Sequence, residues 1–544
     1  MLILTNAHIY TLDSHQPTAN ALAIDSGHVV AVGTEEFIRN EFRGRGKVLD
    51  LNDLTVIPGL TDSHLHLKHY ALSLQKVDCE TASLAECLQR VAERVEQTPA
   101  GEWVLGHGWN QNEWPDVPSE GGMDGFPSAV ILDKIAPDHP VFLTAKSLHA
   151  SWANTAALRL AGITAQTLDP ENGQIQRDAR GEPTGILLEG ASGLVSSVIP
   201  QPEPDQILQA MRVAQKTLWG MGLTGVHDFD RRDSFIALQT LHGRRELGLR
   251  VVKTIPVEDL VHAIGVGLRS GFGDDFLRIG MVKAFADGAL GPHTAAMFQP
   301  YADEPENRGM LLLDSEEIMQ FGRQAVENGL GLTIHAIGDR ANHEVLNAYA
   351  GLREHERALG LPHLRHRIEH VQILHPDDFP RLAELGVIAS MQPIHATSDM
   401  IAADRFWGER SQYGYAWREL LYLDTPMAFG SDAPVDSPNP FWGLYAAVTR
   451  RRADGSPGPE GWYPDQRLTR LEAFQGYTTG AAFAAGMENR LGLLSPGFLA
   501  DLLVLDTDPF TCEPDALRDI RPVGVMVGGE WKLEIDQWRG TNGK

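Results

Sequence analysis

Eight short apolar stretches recur along the middle of this chain: Leu54 to Leu60, Gly222 to His227, Arg250 to Ile255, Leu277 to Phe285, Gly331 to Ile337, His366 to Ile373, Val387 to Gln392 and Met427 to Gly430. Each has the length of a strand. From the second onward, helix-length segments lie between successive stretches, for instance Ser315 to Asn328 and Pro376 to Leu385. Strand, helix, strand repetition implies parallel pairing, because a parallel neighbour is reached only through a crossover. The pattern predicts an α/β protein built on a (β/α)8 TIM-like barrel.

The ends of the chain follow a different pattern. The first residues contain short β-rich pieces (Leu2 to Tyr10, Ala21 to Ile24, His28 to Val32, Val48 to Leu51) separated by turn residues such as Ser26-Gly27. Similar pieces return in Asp501 to Leu505 and in Val523 to Val527, which Gly528-Gly529 follows. Neither set can build a core alone, so both termini are predicted to pair in a small composite β-sandwich domain, 1–54 with 488–544, flanking a barrel over 55–487. The gap between the first and second barrel strands is too long for a plain crossover. An insertion within 78–205 is therefore expected to cap a substrate pocket, its end marked by the stiff Pro200, Pro202 and Pro204.

Length and composition narrow the function. The 544 residues fit one barrel with additions, and 43% hydrophobic with 22% charged residues is ordinary for a globular chain with a large core. A net charge of −26 without any basic run argues against nucleic acid as a partner. Three cysteines (Cys79, Cys87, Cys512), an odd number without metal-type spacing, fit a reducing compartment. The N-terminus lacks the charged start and longer apolar stretch of a signal peptide, and no apolar run approaches the ~20 residues of a membrane span. The expectation is a cytoplasmic protein with no membrane partner.

Five of the strand candidates end in residues able to hold a metal: His64 and His66, Lys283, His335, His370 and Asp432. Side chains at i and i+2 of a strand leave the same face, so both imidazoles of Asp62-Ser63-His64-Leu65-His66 can reach one ion. Strand ends of a barrel converge on one mouth, which makes neighbours of residues far apart in sequence. Each residue also has a structural reading: paired polar positions for the histidines, a snorkelling or paired lysine, a helix cap for Asp432. Lys283 has a further option near two ions, since desolvation lowers its pKa and the neutral amine can add carbon dioxide to give an anionic, bridging carbamate. Asp432, at the mouth, could handle the proton of a metal-activated water.

These residues lie in a sequence that strongly resembles the amidohydrolase superfamily over nearly its whole length, through "VIPGLTDSHLHL", the later ligand strands and "LGLLSPGFLADLLVLD". Within it, "GHGWNQNEW", "LHASWANTAAL", "GEPTGILLEGA", "VKAFADGALGPHTAAM", "TIHAIGDRAN" and "ASMQPIHATSD" look like the YtcJ-like, amidohydrolase-3 group that includes N-substituted formamide deformylases. The resemblance implies two divalent ions, usually zinc. His64 and His66 would hold the first, His335 and His370 the second, with carboxylated Lys283 bridging and Asp432 as first-ion ligand and general base. It also implies a homodimer. One departure is Pro292-His293 after "DGALG", where an arginine is frequent in related sequences.

The insertion contributes His107, Trp109, Asn110, Gln111, Trp114, His149, Trp152 and Asn154, suited either to capping a small-molecule pocket or, for the tryptophans, to filling the insertion's own core. His149 is the candidate for contact with the reacting carbonyl. His293, Asp339 and Gln392 are further candidates for substrate contact, and His227, Asp228 and His395 also lie at strand ends. The predicted function is metal-dependent hydrolysis of a non-peptide amide-type C–N bond of a small molecule. A mononuclear heterocycle deaminase and a non-catalytic regulatory protein on the same fold are the alternatives.

Overall fold

In the computed structural model the described residues are 1–111, 114–116, 125–146 and 149–534. Residues 112–113 and 148 of the quoted motifs, and the last residues of the 488–544 segment, lie outside them. The chain divides into two compact units, Met1–Tyr70 with Met211–Lys544, and Ala71–Ala210.

The larger unit holds the barrel. Its strands are β1 (Leu60–Leu65), β2 (Leu223–Asp228), β3 (Arg250–Pro256), β4 (Leu277–Phe285), β5 (Leu332–Ala336), β6 (Arg367–His370), β7 (Ile388–Met391) and β8 (Met427–Phe429). Each pairs in parallel with the next, in sequence order. Closure between β8 and β1 is made by the chain that leaves β8. Asp432 N–H donates to the His64 carbonyl at 2.7 Å, and His66 N–H donates to that of Ala433 at 2.8 Å. The Asp62 carboxylate accepts from the Ser431 hydroxyl at 2.5 Å and from its N–H at 3.1 Å. Gly430 permits this approach, since a Cβ there would lie 2.5 Å from His64 N.

One boundary differs from the sequence reading. Leu54 to Pro58 is not barrel: the strand Lys47–Pro58 runs parallel to Leu2–Tyr10 and antiparallel to Leu502–Leu505 in an eight-stranded sheet that joins the two termini. Gly59 separates it from β1, and a Cβ there would fall 2.3 Å from the Thr224 hydroxyl. The physical cause is an apolar run that continues across the break, so hydrophobicity alone does not show where one sheet ends. Apolar clusters lie on the terminal sheet, one with Leu4, Ile9, Leu22, Val56 and Val504, another with Ile3, Ala21, Ala23 and Ile38 of the helix Glu35–Glu41.

The smaller unit is a six-stranded sheet with its own core of Trp109, Trp114, Trp152, Leu132 and Leu143. Among the described residues no helix is long and apolar enough to cross a membrane.

Candidate metal centre

The period of two along β1 sends His64 and His66 to one side, ring centroids 5.8 Å apart. His370, the last residue of β6, brings its ring to 5.0 Å from that of His64 and 4.5 Å from that of His335 on β5. Asp432 Oδ1 is 3.4 Å from Nε2 of both His64 and His66. One ligand atom from each of His64, His370 and Asp432 lies within 4.8 Å of the others. Lys283, on β4 and level with Thr333 of β5, is buried, and its Nζ has no hydrogen-bond partner. The Phe229 and Phe285 rings, with centres 5.0 and 4.6 Å away, face the ammonium.

The rings are aimed by groups behind them. His64 Nδ1 lies 2.5 Å from Glu369, and the His64 ring stacks on Phe229 at 3.8 Å. Glu369 is fixed by the Thr333 hydroxyl and by Arg367, whose Nε is 2.9 Å from Oε1. Arg367 also donates to the Ser63 carbonyl and the Ser390 hydroxyl. Gln392 Oε1 accepts from His370 Nδ1 at 2.9 Å. His66 Nδ1 lies 3.3 Å from Asp230, which His69 also contacts. With Nδ1 engaged outward on His64 and His370, Nε2 of these two presents its lone pair inward, the tautomer a metal ligand needs, whereas Asp230 and Asp432 on either side of His66 favour its charged form, which an ion would have to deprotonate. His335 is the reverse: its Nε2 donates to the Gly288 carbonyl at 2.8 Å, leaving Nδ1 open.

Charge follows the same division. Burial pushes His64 down to about 4 and His335 down to about 3, and holds His370 well below the usual imidazole range. These rings are neutral donors at pH 7. Burial opposes charging His66 as well, but the Asp230 and Asp432 carboxylates outweigh it and raise the ring to about 9. Burial lowers Lys283 to about 8. Burial would raise Asp432, yet His64, His66 and His370 overcome it and hold the carboxyl well below its ordinary range. His370 and Asp432 also adopt left-handed backbone, φ 77° and 59°, a strain of about 1–3 kcal/mol each that clusters at functional sites.

The residues therefore fit divalent ions. A buried amine without a hydrogen-bond partner, imidazoles held neutral at His64, His335 and His370, and an ionised carboxylate at Asp432 form a donor set of the kind a divalent ion takes.

Glu369, Asp230, His69 and Phe229 were not singled out from the sequence. Arg367 and Glu369 at i and i+2 of an apolar strand were the available signal, because two charges on one strand face must find each other inside. Gln392 was, and it touches His370. Two other expected contacts serve the loop after β4. Asp339, first residue of the helix Asp339–Leu359, accepts from Phe298 N–H and Arg340 N–H. The His293 ring packs 4.0 Å from Phe406, with Nε2 3.3 Å from Asp303.

Within the insertion unit, Asn154 is fully buried as the cap of the helix Thr155–Leu160. Its Oδ1 accepts from Val141 and Ala157 N–H, and its Nδ2 donates to the Ala136 and His139 carbonyls. This leaves no free polar atom for a ligand. Trp114 is buried and donates to the Thr81 carbonyl. His107 is exposed and bonded to the Thr144 hydroxyl at 2.8 Å. Trp109, Gln111 and His149 share the wall of a concavity of about 640 Å³, with Asn172, Gln174 and Glu189, the last 3.0 Å from His149 Nδ1.

Parallel strands with a cluster of buried imidazoles, lysine and carboxylate at one end define a barrel hydrolase that works with metal. The sequence signature of the Amidohydrolase family spans residues 47–531, and the chain belongs to that family. It is 34% identical to Protein LONG AFTER FAR-RED 3 of Arabidopsis thaliana, over 93% of this chain and 87% of that one. It is 30% identical to an N-substituted formamide deformylase of Arthrobacter pascens, over 98% of each. A solved structure of an uncharacterized metal-dependent hydrolase from Pyrococcus horikoshii superposes with a TM-score of 0.77 at 28% identity, covering 94% of this chain and 99% of that one.

Proposed function

We propose that the protein hydrolyses a non-peptide amide-type C–N bond of a small molecule. The observation that carries the reading is the buried Lys283 amine without a partner, beside imidazoles held neutral and an ionised Asp432. His64, His66 and Asp432 would hold one ion, and His335 and His370 the other. Lys283 would bridge them once its amine nitrogen has bonded the carbon of carbon dioxide and released a proton. Such ions, zinc by resemblance, supply Lewis acidity for the acyl oxygen and lower the pKa of water. Asp432 takes the proton of the attacking water and passes it to the departing nitrogen, while Glu369, Asp230 and Gln392 keep the imidazoles turned inward. His149, with Trp109 and Gln111, is assigned to the substrate, and the assembly is a homodimer.

The tight trio of His64, His370 and Asp432 favours a second reading, a one-ion deaminase of a heterocycle. Elemental analysis of protein purified without chelator, with turnover of formamides, N-acyl amines and cyclic amides, separates the two. About two ions per chain with release of an amine is expected. A folded, metal-supplemented protein with no metal, or one releasing ammonia from a ring with a single ion bound, overturns the proposal.

A further inference from the structure

His395 lies in the first turn of the helix Pro393–Trp407 that follows β7, and only 5% of it is exposed. Neither of its ring nitrogens has a hydrogen-bond partner. A buried polar atom left unmatched is costly, so this ring asks for a partner that the described residues do not provide. Its plane is within 7° of that of His370, ring centroids 6.1 Å apart, which sets it beside the metal ligands rather than among them.

The ring has a defined sense. Nε2 is 3.7 Å from Oδ2 of Asp436. That carboxylate is itself held by the Ser398 hydroxyl, 3.0 Å from each oxygen, one turn along the helix from His395. Nε2 is the nitrogen turned toward that carboxylate, and an imidazole that carries its proton there has its lone pair at Nδ1.

We infer that His395 is a catalytic residue whose Nδ1 accepts the N–H of a secondary amide, so that the enzyme selects N-monosubstituted over N,N-disubstituted amides. The inference rests on the amide-hydrolysis reading above. A ring-nitrogen lone pair suits the task, because an amide N–H is a donor that water no longer satisfies once the substrate is enclosed. A tertiary amide has no such hydrogen and leaves Nδ1 orphaned, the situation in which a site rejects an analogue most strongly.

The test uses the metal-loaded enzyme with a matched pair, N-hexylformamide and N-hexyl-N-methylformamide. The wild type is expected to prefer the secondary amide by about 100-fold or more in kcat/KM. His395→Phe, close in size but without nitrogens, should keep its metal content and lose the preference to within about threefold. His395→Asn, whose amide oxygen can accept, should restore part of it. Asp436→Asn, which weakens the hold on Nε2, should lower the preference without abolishing turnover, and it serves should His395→Phe not fold. Equal rates for the pair in the wild type, or a preference undiminished in His395→Phe, overturns the inference while leaving amide hydrolysis standing. Turnover of neither formamide nor of the wider acyl-amine panel overturns the hydrolytic reading and this one with it.

Discussion

The barrel mouth and the insertion core both collect aromatic rings and polar tips, and the two regions treat those tips in opposite ways. In the insertion, the indole N–H groups of Trp109, Trp114 and Trp152 each donate to a backbone carbonyl, those of Leu143, Thr81 and Ser128, and Asn154 spends both ends of its amide on backbone. In the mouth, Lys283 Nζ and both nitrogens of His395 are buried with no partner. The insertion uses polarity to lock its own packing, whereas the mouth keeps polarity in reserve. Orphaned atoms also occur at Trp407 and Trp417, so an unmatched atom alone does not mark a site. The insertion has one too, at His139 Nδ1, and what distinguishes the mouth is that Lys283 and His395 stand among further imidazoles and a carboxylate, near left-handed backbone at His370 and Asp432.

Lys283→Ala attacks that comparison most directly. Removing the amine should abolish turnover and lower metal occupancy, with partial rescue by small carboxylates that fit the space left behind. Metal stoichiometry and rate measured together decide it, and full activity in the variant would show that the buried amine is only tolerated. Asp432→Asn comes next. Asp432 caps no helix, since the next one, Pro440–Thr449, is capped by Asn439, and a merely structural Asp432 predicts nearly unchanged stability and rate on replacement by the isosteric Asn. A proton-handling role predicts a folded protein that has lost about 10²–10⁴-fold in kcat.

Glu369→Gln should have a smaller effect, of a different kind. Glu369 touches His64 and no reacting atom, and it holds Nδ1–H of that ring. An amide there can present its own N–H and invert the tautomer, so metal affinity and rate should each fall by about 10–100-fold, the usual cost of losing an orienting partner. Titration with metal at fixed pH checks it, and Glu369→Asp, which keeps the acceptor, should recover part of the loss.

How much of this was legible in the sequence follows the same contrast. Candidate ligand positions could be read because a polar residue at the end of an apolar strand has few other reasons to be there, and the structure brings His64, His335, His370 and Asp432 together with buried Lys283. The barrel strands could be read for the same periodic reason. The exception is the first, where Val56 and Ile57 belong to the terminal sheet and only Gly59 marks the change. Orienting residues were harder: Glu369 sits one residue before His370, and Asp230 lies two residues past the end of β2, where a carboxylate is common for many reasons. The tips of Trp114 and Asn154 could not be assigned from sequence, since a hydrogen bond to one's own backbone and a hydrogen bond to a ligand call for the same side chain.

Asn154→Ala measures the other half of the comparison and should leave chemistry alone. The change removes the cap of Thr155–Leu160 and strands the N–H of Val141 and the carbonyls of Ala136 and His139 in a dry interior. Loss of a cap costs about 1 kcal/mol, and each stranded group about 1–3 kcal/mol where water cannot reach it. The thermal transition that reports the insertion should therefore move down by several degrees. Below that transition kcat and metal content should match the wild type, because the amide has no atom left over for a substrate. A variant with unaltered melting and a raised KM would reverse the assignment, placing Asn154 among the residues that hold polarity for a ligand and removing the distinction drawn between the two regions.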